Sequence, residues 1–153
     1  MNKNYRSVLI QTNSLSSKYG GGSTGLISIC QAFGINKSIK TSLISFDNEL
    51  SSNDQLNIDS QLSQIKNIYL KEYFFRIPTF FSFLKLIKEI AKNDVIYVHS
   101  INSFFSLVTF IISKTLFKKV LFRPHGSLMQ VYTKKFNKIK HFLTFFQLLI
   151  YRN

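Results

Sequence analysis

The chain has 153 residues, 45% of them apolar, with 20 Lys and Arg against 7 Asp and Glu, for a formal charge of +13. That length suits one domain with enough apolar content to bury a core. The scarcity of acids argues against chemistry built on paired carboxylates. The basic excess points to an anionic partner, whether a phosphate-bearing substrate, a nucleic acid or a membrane surface.

Arg6 to Thr12 reads as a first strand. The apolar run Val8-Leu-Ile10 within it is far too short for a signal-peptide core, so a cytoplasmic location is expected. A polar loop, Asn13 to Lys18, leads to Tyr19-Gly20-Gly21-Gly22-Ser23-Thr24-Gly25. A helical pattern then runs over 24–35, with Leu26, Ile27, Ile29, Cys30 and Phe33 as its apolar positions. Glycines between a strand and a helix let backbone N–H groups come close to an anion. The motif is neither G-x-G-x-x-G nor a P-loop, and a plain surface loop is the competing reading. Cys30 is the single cysteine, which excludes a disulfide framework and a cysteine zinc cluster. Its apolar setting reads as a buried, inert thiol.

Lys40 to Phe46 is expected as a second strand and Gln64 to Leu70 as a third. Between them, Asp47 to Ser63 is rich in Asn, Ser, Asp and Gln and reads as a loop with one short turn of helix. Lys71 to Ile90 crowds Tyr73, Phe74, Phe75, Phe80, Phe81 and Phe83 among Arg76, Lys85 and Lys88. Pro78 predicts a helix start, with Phe81, Leu84, Ile87 or Lys88, and Ala91 at helical spacing over about 79–92. Aromatics mixed with cations suit an anionic membrane interface, and a core-facing helix with a solvated basic edge fits as well. No nucleic-acid motif accompanies them, so no nucleic-acid partner is expected.

Asp94 to His99 is the clearest strand, its continuous run Val95-Ile-Tyr-Val98 suiting a parallel strand covered on both faces. His99 and Ser100 close it. The apolar segment 102–117 falls short of the roughly 20 residues of a spanning helix and reads as a helix packed on a sheet. Lys119 to Arg123 is a further strand, broken by Pro124-His125-Gly126. His125 there is either a structural turn histidine or a group placed for chemistry. Beyond it, Lys134, Lys135, Lys138 and Lys140 precede an apolar helical pattern from Phe142 to Ile150, which stops at Asn153 without a terminating signal. A domain seldom closes this way, so an incomplete unit is expected.

Strands alternating with helices predict an α/β fold with a doubly wound parallel sheet. In such a sheet the Gly20–Gly22 loop, His99 and His125 all follow strand ends and meet at one edge, where ligands bind. With His99, His125 and His141 but no suitable carboxylate, no metal site is expected, and no G-x-S-x-G elbow accompanies the serines. Asp94 lies at the wrong end of its strand for a general base.

The Gly20–Gly22 loop before a helix, the run Asp94 to Ser100 before an apolar helix, and the run Val120 to Leu128 before a Lys-rich helix resemble one family in their order and spacing. They are similar to the N-terminal domain of retaining glycosyltransferases of the GT-B fold, over about Val8 to Ile150. The resemblance implies a Rossmann-like acceptor domain over 1–153, one half of a GT-B architecture. It implies sugar transfer from a nucleotide-sugar, a co-substrate, to a cell-surface polysaccharide or lipid-linked acceptor, with no further cofactor and no metal. By the same resemblance Gly20, Gly21, Gly22 and Ser23 fall near the donor phosphates, and His125 near the reacting groups. His99, Ser100, Arg123 and Gly126 fall on the acceptor side. Phe74, Phe75, Arg76, Lys85 and Lys88 would face the inner side of the cell membrane. The donor-binding domain, with its glutamate pair and its Arg and Lys for the pyrophosphate, has no counterpart here. Activity then needs it from elsewhere, and a separate donor-binding subunit is one source. The alternative is a non-catalytic basic module that binds a membrane surface or another polyanion.

Overall fold

A computed structural model describes residues 6–16, 21–74, 76–99, 103–123 and 145 of the chain. Strands and helices alternate through them. The strands are β1 (Ser7–Gln11), β2 (Lys40–Phe46), β3 (Lys66–Leu70), β4 (Val95–Val98) and β5 (Lys119–Phe122). The helices are α1 (Gly21–Ile35), α2 (Ser52–Gln61), α3 (Phe80–Lys92) and α4 (Phe104–Thr115). Every strand pairing is parallel, and the order across the sheet is β3-β2-β1-β4-β5. The doubly wound α/β sheet expected from the alternation is the fold observed.

Successive strand residues point to opposite faces, and each face meets its own pair of helices. Val8, Ile10, Leu43 and Val95 pack with Leu26 and Cys30 of α1 and Ile58 of α2. Leu9, Ile44, Phe46, Ile96 and Val98 pack with Leu86 and Ile90 of α3 and Phe105 of α4. This is why the central strands read as unbroken apolar runs. Each buried Leu, Ile or Phe contributes roughly 1.5–3 kcal/mol. At the amino end of the sheet the Asp94 carboxylate accepts from the backbone N–H groups of Arg6 and Ser7 and from the Ser7 hydroxyl, at 2.9–3.0 Å. It pins β1 to β4, and those bonds hold its carboxyl below the ordinary aspartate range.

Three expectations are corrected. The segment from Asp47 to Ser63 holds a ten-residue helix, α2, rather than a loop with one turn. It is nucleated by a capping box in which the Ser51 hydroxyl accepts from the Asp54 N–H and the Asp54 carboxylate accepts from the Ser51 N–H. Helix α1 begins at Gly21, so the second and third glycines of the run belong to its first turn. In α3 the buried positions are Ser82, Leu86, Glu89 and Ile90, not the predicted stripe. Phe81 is 81% and Leu84 47% exposed. Polar side chains hold two inward positions because they have partners there. The Ser82 hydroxyl accepts from the Lys71 N–H at 2.9 Å, and Glu89 pairs with Lys66 at 2.9 Å.

Candidate functional site at the carboxyl edge of the sheet

The strand order reverses direction between β1 and β4, since β2 and β3 lie to one side of β1 and β4 and β5 to the other. The crevice beyond the carboxyl ends of those two strands is where an open α/β sheet places its ligands. From β1 it receives Gln11, Thr12 and Asn13. From β4 it receives His99, and from β5 Arg123.

Backbone pairing fixes these residues against one another. The His99 N–H donates to the Gln11 carbonyl at 2.9 Å, and the Arg123 N–H donates to the Val98 carbonyl at 3.0 Å. The two predicted acceptor-side residues therefore sit side by side on neighbouring strand ends. His99 is buried, with its ring 6.1 Å from that of Tyr97 on the α1 and α2 face of the sheet. Arg123 is exposed.

The loop after β1 is tightly self-bonded. The Ser14 hydroxyl accepts from the Ser16 N–H at 3.1 Å, and the Ser23 hydroxyl donates to the Ser16 carbonyl at 2.8 Å. Ser23, a predicted donor-phosphate residue, is thus buried and spends its hydroxyl proton on tying the start of α1 to this loop. Gly21 and Gly22 open α1, so they lie in its first turn and not in the loop before it. Gly20, Ser100, His125 and Gly126 lie outside the described residues, as does Phe75.

Sequence reasoning missed three polar residues here. Gln11 is fully buried, and neither atom of its amide has a hydrogen-bond partner among the described residues. Asn13 accepts from the Ser103 hydroxyl at 2.7 Å, and Ser103 caps α4 by accepting from the Ser106 N–H at 3.0 Å. The signal for Gln11 was a polar residue closing an otherwise apolar strand. Gln11 and Ser103 are buried, and Ser103 ties the β1 end to α4, while part-exposed Asn13 and exposed Arg123 leave polar groups at this edge that suit hydrogen bonding to a polyhydroxylated or phosphorylated ligand. Among the described residues no group of three or more His, Cys, Asp or Glu could hold a metal ion.

Comparison with known proteins adds one level. No protein-family model and no curated protein matches the chain. Among solved structures it is similar to AtPrR2 with NADP+ and (+)pinoresinol, at 12% identity and a TM-score of 0.53. The chain has a Rossmann-like fold. The likeness covers 100% of this chain and 46% of that one, so the chain spans less than half of its neighbour's length. At that identity the fold is all that is shared.

A second surface lies on the carboxyl side of the sheet, at the β3 end. The segment Lys71 to Thr79 folds back on itself, with the Tyr73 N–H donating to Ile77 and the Thr79 N–H to Lys71. Tyr73 and Phe74 are exposed beside Phe80, Phe81 and Leu84. Of the cations predicted there, Lys88 is exposed and the Lys85 amino group donates to the Tyr69 carbonyl at 3.3 Å. Arg76 is drawn inward. It takes a left-handed backbone (φ 62°) and pairs with Glu49 at 2.8 Å and Glu72 at 3.5 Å, clamping the loops after β2 and β3. Burial pushes the Glu72 carboxyl up, against the pull of Arg76. Among the described residues no helix is long and apolar enough to cross a membrane.

Proposed function

We propose that this chain is the acceptor-side half of a GT-B glycosyltransferase. In this reading it transfers a sugar from a nucleotide-sugar to a polysaccharide or lipid-linked acceptor, together with a donor-binding domain on the same or a second polypeptide. The observation that carries the reading is the reversal of strand order between β1 and β4, at whose carboxyl edge His99 and Arg123 lie on adjacent strand ends. An acceptor hydroxyl would be held by the polar groups of this edge. His125, two residues past Arg123, is the candidate for contact with the reacting groups. No glutamate pair for donor binding is at hand, so the donor half supplies the nucleotide contacts.

The test is sugar incorporation. The purified chain is mixed with a membrane and cytosol extract of its source, from which the native copy has been removed. Labelled nucleotide-sugars are then offered in turn. The reading expects incorporation from one donor into lipid or polysaccharide, and a drop of about a hundredfold in His125→Ala. No incorporation from any donor, or full activity of both His125→Ala and His99→Ala, would sink it.

A second reading is favoured by a separate observation. The exposed aromatics Tyr73, Phe74, Phe80 and Phe81, flanked by Lys85 and Lys88, suit peripheral docking on an anionic membrane. Phe81→Ser with Phe80→Ser should then abolish flotation with vesicles containing anionic lipid. Flotation that ignores both the substitutions and the lipid charge would overturn it.

A further inference from the structure

The opposite end of the sheet carries a concave, strongly cationic site that the proposed transferase reading does not use. The amino ends of three adjacent strands converge there. Arg6 immediately precedes β1, Lys40 opens β2 and Lys66 opens β3. Parallel register sets them side by side, with Lys40 opposite Ser7 and Lys66 opposite Ser42. The turn between α1 and β2 adds Lys37, with Asn36 and Ser38 beside it. These residues line a cavity of about 550 Å³ together with Thr41 and Gln64. The floor of the turn is rigid, because the Asn36 side-chain carbonyl accepts from the Ser38 N–H at 3.2 Å and from its hydroxyl at 2.6 Å.

Four cations and no carboxylate line this cavity. Two acids bond residues of this lining and are already engaged. Glu89 is held by Lys66 at 2.9 Å and Lys92 at 3.6 Å, and Asp94 by the N–H groups of Arg6 and Ser7. Lys66 is thereby partly neutralised, which leaves Arg6, Lys37 and Lys40 as the lining cations without a carboxylate pair among the described residues. The close approach that shapes the wall depends on Gly34, where a Cβ would stand 3.2 Å from both Gln64 and Ile65 side-chain atoms. Several converging cations with amide and hydroxyl donors between them match clustered phosphate oxygens better than a single carboxylate. Ile39 is the one large apolar side chain in the lining, too little to anchor in a bilayer, and the exposed aromatics Phe80 and Phe81 sit at the other end of the sheet.

We infer that the amino-edge cavity of Arg6, Lys37, Lys40 and Lys66 binds a compound bearing two or more linked phosphates, either free in solution or as a phosphorylated lipid headgroup. The site is separate from the β1–β4 crevice, and strands of 4–7 residues put roughly 15–20 Å between the two edges. Occupancy there is independent of the proposed sugar transfer.

Titration calorimetry of the full chain with sodium tripolyphosphate tests this. The expected result is saturable 1:1 binding that weakens steeply with salt. Lys37→Gln with Lys40→Gln should weaken it by about a hundredfold, each lost charge-assisted contact accounting for about tenfold. Lys37→Arg with Lys40→Arg should restore it. Lys85→Gln with Lys88→Gln, on α3 and outside the cavity lining, should leave it within about twofold. Absence of saturable binding, or equal weakening by both Gln pairs, would overturn the inference, since diffuse attraction to a basic protein predicts the latter. Vesicles carrying a polyphosphorylated inositol lipid separate the two sources. Capture that tripolyphosphate displaces identifies a headgroup ligand, and no capture identifies a soluble one.

Discussion

The backbone N–H of His99 donates to the carbonyl of Gln11 at 2.9 Å, carrying the β1–β4 pairing one residue past the end of β4. The bond places a buried imidazole and a buried amide on opposite faces of the same sheet edge. The Gln11 amide is buried with neither atom hydrogen-bonded among the described residues.

Leaving a buried amide unsatisfied costs about 1–3 kcal/mol. Gln11→Met keeps the shape and removes the polar atoms. It should raise the urea midpoint by the equivalent of about 1 kcal/mol at unchanged m. Loss of stability would mean that the amide is satisfied in solution.

Helix α3 offers a direct check of its corrected face. Leu86 is fully buried in the sheet-facing cluster, whereas Leu84 is 47% exposed. Leu86→Ala should cost about 2–5 kcal/mol and Leu84→Ala less than about 1 kcal/mol, read by denaturant unfolding. Equal costs would restore the stripe that the periodicity predicted.

Two carboxylates should make stability depend on acid. Burial pushes Glu89 up, but the hydrogen bond and charge of Lys66, with Lys92, outweigh it and leave its pKa lowered. Asp94 is lowered by the Arg6 N–H and the Ser7 hydroxyl. A lowered folded-state pKa gives stability that is present above the unfolded value, about pH 4, and lost as pH falls through the folded one. Glu72 runs the other way, its raised pKa giving stability that is present at low pH and lost as pH rises. Unfolding midpoints of wild type and Glu89→Gln, compared between about pH 3 and pH 6, isolate the Glu89 share. The gap should close on acidification, and a gap that widens would contradict the Lys66 pairing.

Cys30 is buried against β1 and β2, and burial pushes its thiol up to about 12. A disulfide reagent at pH 8 should label it only after denaturant is added, because the thiolate is the nucleophile. Rapid labelling of the native chain would require α1 to open.

The sheet was legible because its strands are short apolar runs bounded by polar turns. Lys40–Phe46 was read with the bounds that β2 takes. Helix α2 was missed because it buries Ile58 alone among its residues, too narrow a face to register as periodicity. Its start was readable all the same in Ser51 and Asp54, three apart. The phase of α3 was misread because burial followed hydrogen-bond partners. Ser82 and Glu89 turn inward to Lys71 and Lys66, while Phe81 turns outward. In the candidate site, His99 and Arg123 were visible as strand-end residues. Gln11 was marked only as a polar residue closing a strand, and that signal does not say whether its side chain faces solvent or core.

The strand order has a consequence for how the chain is made. β1 lies at the centre of the sheet, yet its partner on one side, β4, is joined to it through Asp94 and Ser7, 87 positions apart. A growing chain can lay β2 beside β1 and then β3 beside β2 soon after they emerge. Until β4 follows, Val8, Leu9 and Ile10 present an open backbone edge to any other strand in reach. Pairings this distant in sequence form slowly, and the interval before they form is when half-made sheets join one another. The order that builds the crevice between β1 and β4 therefore also sets the stage of synthesis at which the protein is most prone to aggregate.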